Sequence, residues 1–175
     1  MKTKVLALGL ALAVIWGLKR HYADSRADDL LWILRPTAAL VGAVTNTTFA
    51  IEPGQGFLSR DRLFLIEKSC AGINFMIAAF GMLAFALRRR ISSCVSGAGV
   101  LGLSLISSYV AAVAVNAARI TVAMWLGAHP GAVSTLSAAQ LHRVEGIIVY
   151  FAGLVLLYEL ARQLDGAAAV AGKGR

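Results

Sequence analysis

Long apolar runs with almost nothing charged inside them constrain this chain more than any other feature. Residues 71–87 carry no charged side chain at all. A helix that crosses a bilayer needs about 20 mostly apolar residues, within a range of roughly 17–25. A soluble core built from 175 residues has no use for several runs of that kind. Composition agrees: 58% of the residues are hydrophobic and 15% are charged, against about 25% charged in an ordinary soluble domain. The chain therefore predicts an all-α integral membrane protein, a bundle of about five transmembrane helices with one short extra-membrane loop.

The runs predict helices over about 5–18, 30–51, 71–87, 92–115 with an extension to 126, and 143–160, all in a single membrane domain spanning 1–165. An Ala/Gly segment, 166–175, reads as a flexible tail. The first helix starts after Lys2 and Lys4, as a signal peptide would. It ends, however, in Lys19, Arg20 and His21 with no small-x-small cleavage site, so an uncleaved helix is expected. Arg35 lies about one turn into the second helix, where its long stem lets the charge reach the interface. Glu52-Pro-Gly-Gln-Gly56 reads as a turn, and 57–66 as a short strand or hairpin. Helix four is rich in Gly97, Gly99, Gly102, Ser104, Ser107 and Ser108. Small residues of this kind allow close helix packing in lipid.

The net charge of +8 raises nucleic acid as a partner, and the placement of the charge argues against it. Lys19 with Arg20, Arg88 to Arg90, and Arg162 with Lys173 and Arg175 cluster at the ends of apolar runs. That is the pattern of membrane orientation, not of a basic stripe interleaved with aromatics. With Arg88 to Arg90 in the cytoplasm, the segments around Cys70, Arg119 and His142 share the outer face. Lys2, Lys4, Arg60, Arg62 and Lys68 then fall on that outer side, against the general bias.

Three segments carry candidate chemistry. In Glu67-Lys-Ser-Cys70-Ala-Gly72, the cysteine stands where a loop becomes a helix. A helix N-terminus carries roughly half a positive charge, which favours the nucleophilic thiolate. Gly72 permits a tight backbone turn. A lone cysteine is more often an inert, buried one. In Asn116-Ala-Ala-Arg119, the i, i+3 spacing puts both side chains on one helix face. Arginine at the bilayer edge is expensive to hide, and its planar fork can hold a negative oxygen. The plainer alternatives are a structural ion pair, with Glu67 for example, or a side chain that merely reaches the interface. In His142-Arg-Val-Glu-Gly146, the histidine heads the last apolar helix and suits proton transfer near neutral pH. His129 is its rival, but His-Pro-Gly reads as a turn. Cys94, the other cysteine, lies about 20 residues from Cys70, or about 30 Å along a helix, so the two should not pair.

Nucleophile, oxyanion stabiliser and proton carrier on one face are the parts acyl transfer needs. In this order and at these positions, Glu-x-x-Cys-Ala-Gly before a membrane helix, Asn-x-x-Arg, and a His heading the last helix resemble the exosortase/archaeosortase family. Its motif has Ser or Ala after the cysteine; here it is Ala71. The resemblance covers residues 51–158 and is nearest to the short type called exosortase K. It implies Cys70 as nucleophile with Arg119 and His142 as partners, supported by Glu67, Gly72 and Asn116. It also implies a thiol protease/transpeptidase in the cytoplasmic (inner) membrane that cleaves C-terminal sorting signals from exported proteins. A substrate would end in a short motif, an apolar helix and a basic tail. No cofactor is implied, and no metal, because no His/Cys/Asp cluster has ligand spacing. The alternative is a non-enzymatic membrane bundle, a transporter subunit or assembly scaffold, which the Gly/Ser-rich helix four would also suit. A transporter should show internal repeats or helices broken at mid-membrane; none stands out.

Overall fold

A computed structural model of the chain describes residues 2–129 and 138–173; the side chains at 138, 139, 141, 142 and from 165 onward lie outside the description. Among the described residues there are five α-helices: α1 (Lys2–Asp24), α2 (Leu31–Thr45), α3 (Ile73–Ala86), α4 (Cys94–Ala128) and α5 (Ala138–Lys173). Of these described residues, three helical segments, Lys68–Arg90, Cys94–Ala128 and Arg143–Leu164, are long and apolar enough to cross a membrane. The helix α2 is not among them: its 15 residues rise only about 22 Å, against a hydrocarbon core of about 30 Å. In α1 the apolar stretch is shorter than the helix, because the helix continues through Lys19, Arg20 and His21. Lysine and arginine are good helix formers, so a change to polar residues does not end a helix.

Two boundaries depart from the sequence expectation for a local reason. The second helix was expected to run to 51, but α2 stops at Thr45. Asn46 takes the left-handed conformation (φ 54°), and its N–H returns to the Gly42 carbonyl, joined there by the Thr47 N–H at 3.1 Å. Asparagine tolerates that conformation, so it closes the helix as a left-handed cap. A side chain at Gly42 would sit 2.7 Å from the Thr47 carbonyl oxygen, so the return of the chain needs glycine there. At the other end, α5 runs to Lys173, through most of the segment expected to be a flexible tail. Alanine is the best helix former, and the Ala-rich stretch continues the helix rather than breaking it.

Beyond Asn46 the chain forms a three-stranded antiparallel sheet in the order β1 (Phe49–Glu52), β2 (Gly56–Ser59), β3 (Leu65–Ile66). Glu52 pairs with Gly56, and Phe57 with Ile66. Pro53 and Gly54 (φ 77°) make the turn, closed by the Gln55 N–H on the Glu52 carbonyl at 3.0 Å. Proline second and glycine third is the type II pattern. The hairpin expected over 57–66 is thus present, with β1 as an added strand. In the β2–β3 loop, the Asp61 carboxylate accepts from Ser59 Oγ at 2.5 Å and the Leu63 N–H at 3.2 Å. The Ser59 hydrogen bond, then the Leu63 N–H, holds its pKa below the usual carboxylate range.

The chain divides into two compact units, each made of more than one segment of the sequence. One holds residues 1–21, 73–111 and 153–175; the other holds 22–72 and 112–152. The first has a core of Ala7, Ala11, Phe80, Ala84, Ile91, Val100 and Leu101, with Gly97 close to Ile91 and Ala7. Its small residues act as expected of close helix packing, with a restriction: Gly99 and Gly102 face open space. The second unit contains the sheet and the chemistry-bearing segments. Elsewhere α4 and α5 expose large apolar side chains, among them Ile106, Val110, Ile148, Phe151 and Leu156. Large apolar side chains exposed in this number call for an apolar surrounding.

Candidate functional site

The strand β3 leads straight into the site. After Ile66 and Glu67 comes one 3-10 turn, Lys68–Cys70, closed by the Cys70 N–H on the Glu67 carbonyl at 2.8 Å and the Ala71 N–H on the Lys68 carbonyl at 3.0 Å. Lys68 anchors this turn: its Nζ donates to the carbonyls of Ser25 (2.7 Å) and Ala23 (3.2 Å). Gly72 follows with φ 68°, and α3 starts at Ile73. A side chain at Gly72 would meet Asn116 Cγ at 3.1 Å. The glycine therefore does two things: it adopts the left-handed backbone and admits Asn116 against the turn.

Asn116 is the centre of the arrangement. It is fully buried, at 0% exposure. Its Nδ2 donates to the Cys70 carbonyl. Its Oδ1 accepts from the Tyr150 hydroxyl at 2.8 Å and from Arg119 Nε at 3.3 Å. A buried amide is costly unless bonded, and here both acceptor positions and one donor are used. One side chain thus ties three segments together: the cysteine turn, the arginine on α4 and the tyrosine on α5.

Arg119 is buried at 7% exposure. Its guanidinium lies 5.4 Å from the centroid of the Tyr150 ring, within cation–π range. The carboxylate that interacts with its charge is Glu145 on α5, itself buried at 6%. Gly146 lets the arginine stem lie close to that helix, at 3.7 Å from its Cδ to where a side chain would begin. Tyr150 lies within electrostatic range of Arg119, Cys70 and Glu145. A guanidinium and a carboxyl group buried within electrostatic range of each other offset part of the cost of that burial, and removal of one leaves the other with the full cost.

Cys70 is a free thiol, buried at 8% exposure. Ser69 Oγ lies 3.8 Å from its Sγ and donates to Glu67 Oε1 at 2.7 Å. Glu67 is exposed and reaches the cysteine only through that serine. The expected cluster is therefore assembled in part. Cys70, Gly72, Asn116 and Arg119 come together, while Glu67 stands at the outer side of the turn. Position 142 falls within α5, but the His142 side chain lies outside the described residues, as do Pro130 and Gly131. His129 is occupied at the end of α4: its ring stacks on Trp125 at 4.9 Å, and its Nδ1 is 2.9 Å from the Trp125 carbonyl.

Tyr150 and Glu145 have no part in the sequence-derived site. Glu145 had a signal, since a carboxylate inside an apolar helix is costly and has a partner as a rule. A cavity of about 570 Å³ is lined by Lys2, Thr3, Val5, Leu6 and Cys94. Its size does not make it the site: apart from Lys2 and Thr3 its lining is apolar, and neither a buried amide nor an arginine lines it beside Cys94. Among the described residues no group of His, Cys, Asp and Glu could hold a metal ion. No protein family, curated protein or solved structure matches the chain.

Proposed function

We propose that the chain is a membrane-embedded cysteine peptidase or transpeptidase of the exosortase/archaeosortase kind. It lies in the cytoplasmic (inner) membrane with its site on the outer face. The observation that carries this reading is the Asn116 amide, which links the Cys70 turn to Arg119 and Tyr150 in a buried polar cluster. Bundles that only pack need no such cluster, and each unpaired member would destabilise them.

In the proposed reaction the Cys70 thiolate attacks a backbone carbonyl of an exported protein, just before its C-terminal apolar helix and basic tail. A C–S bond forms, and the carbonyl oxygen takes the negative charge. Arg119 stabilises that oxyanion with its planar fork. Collapse of the intermediate breaks the C–N bond, and the leaving amine takes a proton from His142. The thioester is then resolved by an acceptor amine or by water, which makes the enzyme a transpeptidase or a peptidase respectively. Asn116 and Gly72 hold the cysteine turn in position, and Glu67 acts on it through Ser69.

The test is co-expression with an exported protein carrying such a tail, encoded in the same genome, with intact mass read after membrane isolation. The wild-type chain is expected to remove the tail. His142→Ala should fail to do so, and His129→Ala should succeed, because the His129 ring is already engaged with Trp125. Tail removal by His142→Ala at the wild-type rate would take that residue out of the mechanism.

A further inference from the structure

At the end of α3 a cavity of about 360 Å³ opens among Met82, Phe85, Arg88, Arg89, Tyr158 and Arg162. Its composition is split. Met82 and Phe85 give it apolar lining, and Arg88, Arg89 and Arg162 give it three guanidinium groups. Phe85 and Tyr158 are exposed at 60% and 43%, aromatic rings at the level where an apolar run turns basic. Rings in that position are characteristic of the membrane–water interface. Arg88 lies over the Phe85 ring at 3.8 Å and donates Nη1 to the Phe85 carbonyl at 2.8 Å. The guanidinium is thereby held beside the apolar surface, with donors to spare. Arg162 is bound to Glu159 through Nε at 3.0 Å and Nη2 at 2.8 Å. Among the described residues no carboxylate pairs with Arg88 or Arg89.

Two arginines next to exposed apolar rings match an amphipathic anion. A soluble anion would need the charge alone, and an uncharged lipid the rings alone. Guanidinium groups bind phosphate oxygens through paired hydrogen bonds, and basic pockets between membrane helices take anionic headgroups. We infer that this cavity binds one anionic phospholipid, its phosphodiester held by Arg88 and Arg89 and an acyl chain laid along Phe85 and Met82. The inference rests on the membrane reading but not on the peptidase chemistry.

Carbonate extraction of membranes comes first: release of the chain as a soluble protein overturns the membrane reading itself. The full chain, purified in a nonionic detergent, is then titrated separately with phosphatidylglycerol, phosphatidylcholine and inorganic phosphate. Bound lipid is counted by native mass spectrometry. Phosphatidylglycerol should bind, phosphatidylcholine should bind at least about tenfold more weakly, and inorganic phosphate should not displace the lipid. Arg88→Gln/Arg89→Gln should lower phosphatidylglycerol affinity at least about tenfold, with Arg162→Gln costing less because Glu159 already neutralises it. Arg60→Gln/Arg62→Gln removes the same charge from residues that do not line the cavity and should change nothing. Helical circular dichroism checks the fold. Should the glutamine pair not fold, Arg88→Lys/Arg89→Lys keeps the charge, drops the fork, and should bind with intermediate affinity. Undiminished phosphatidylglycerol binding by either double variant overturns the assignment. Equal binding of phosphatidylcholine overturns it in favour of general lipid contact, and displacement by inorganic phosphate overturns it in favour of a free-anion site.

Discussion

Cys70 and Cys94 both precede or begin a helix, and both are free thiols. Helix polarity therefore offers each of them the same kind of field. Their surroundings differ in every other respect. Cys94 is exposed and lines an apolar cavity. Cys70 is buried, and the turn that carries it is fastened by Lys68 on one side and Asn116 on the other. Arg119 and Tyr150 share the same amide. A cysteine at the start of a helix is thus an ordinary feature of this chain, occurring twice. What separates the two is the polar cluster built around one of them, and the proposed chemistry depends on that difference.

The largest effect should come from exchanging which thiol is present. With Cys70→Ala, tail removal from a co-expressed substrate should fall to background while the protein stays in the membrane. With Cys94→Ala it should remain at the wild-type level. Intact-mass analysis reads both. Residual cleavage in Cys70→Ala that disappears when Cys94 is also replaced would reverse the assignment of the two cysteines.

Next in size is Arg119. If it holds an oxyanion, Arg119→Ala should cost on the order of 10²–10³ in rate, as loss of an oxyanion donor does elsewhere. Arg119→Lys should recover only part, because a point charge replaces a planar fork. The burial of Glu145 complicates the alanine variant, since a carboxylate left without its arginine destabilises the fold. Arg119→Ala/Glu145→Gln separates the two effects: it should restore the amount of folded protein without restoring cleavage. Near-normal cleavage in either alanine background would remove Arg119 from the mechanism.

The legible and illegible parts of the site follow from the range of the interactions. Asn116 and Arg119 are one helical turn apart, so their common face is a matter of spacing alone. The Cys70 turn is also local, since glycine at 72 announces an unusual backbone. Tyr150 is different. Its hydroxyl reaches Asn116 across 34 positions, and a tyrosine among apolar residues reads as an interfacial ring. The start of the sheet was hidden for another reason. Thr45, Thr47 and Thr48 look like polar insertions in a membrane helix, whereas the deciding residue is Asn46 and its left-handed backbone. In α1 and α5 hydrophobicity marks the apolar stretch, not the helix, so both helices exceed their expected limits.

Glycine gives a smaller and cleaner contrast between the two cysteine segments. Gly72 has φ 68° and Asn116 beside it, whereas Gly99 and Gly102, on the helix that Cys94 begins, meet nothing within 4 Å. Gly72→Ala should destabilise by about 1–2 kcal/mol from backbone strain alone, with a further loss as Asn116 is pushed from the turn. Gly99→Ala should be neutral or stabilise by up to about 1 kcal/mol through helix propensity. Thermal unfolding in detergent measures both. Equal effects at the two positions would mean that the Cys70 turn is no more tightly built than the start of α4.

The smallest expected effect belongs to Tyr150, and it uses Cys94 as an internal reference. Tyr150→Phe keeps the ring that Arg119 faces at 5.4 Å and removes only the hydroxyl that donates to Asn116. Loss of one such hydrogen bond costs about 0.5–1.5 kcal/mol net. The amide that holds the Cys70 carbonyl then has one anchor fewer, and the buried thiol opens more often. Iodoacetamide alkylation of both cysteines in one sample, read by mass spectrometry, gives a ratio that cancels reagent and detergent effects. Local opening increases with the lost free energy, so the Cys70/Cys94 ratio should rise about 2–12-fold in Tyr150→Phe. Tyr150→Leu also removes the ring and should raise it further. Cleavage should fall in the same order, because a nucleophile displaced by even a small distance loses its alignment with the oxyanion donor. An unchanged ratio with normal cleavage would reduce Tyr150 to a packing residue, and Asn116 would then hold the cysteine turn through its contacts to Cys70 and Arg119 alone.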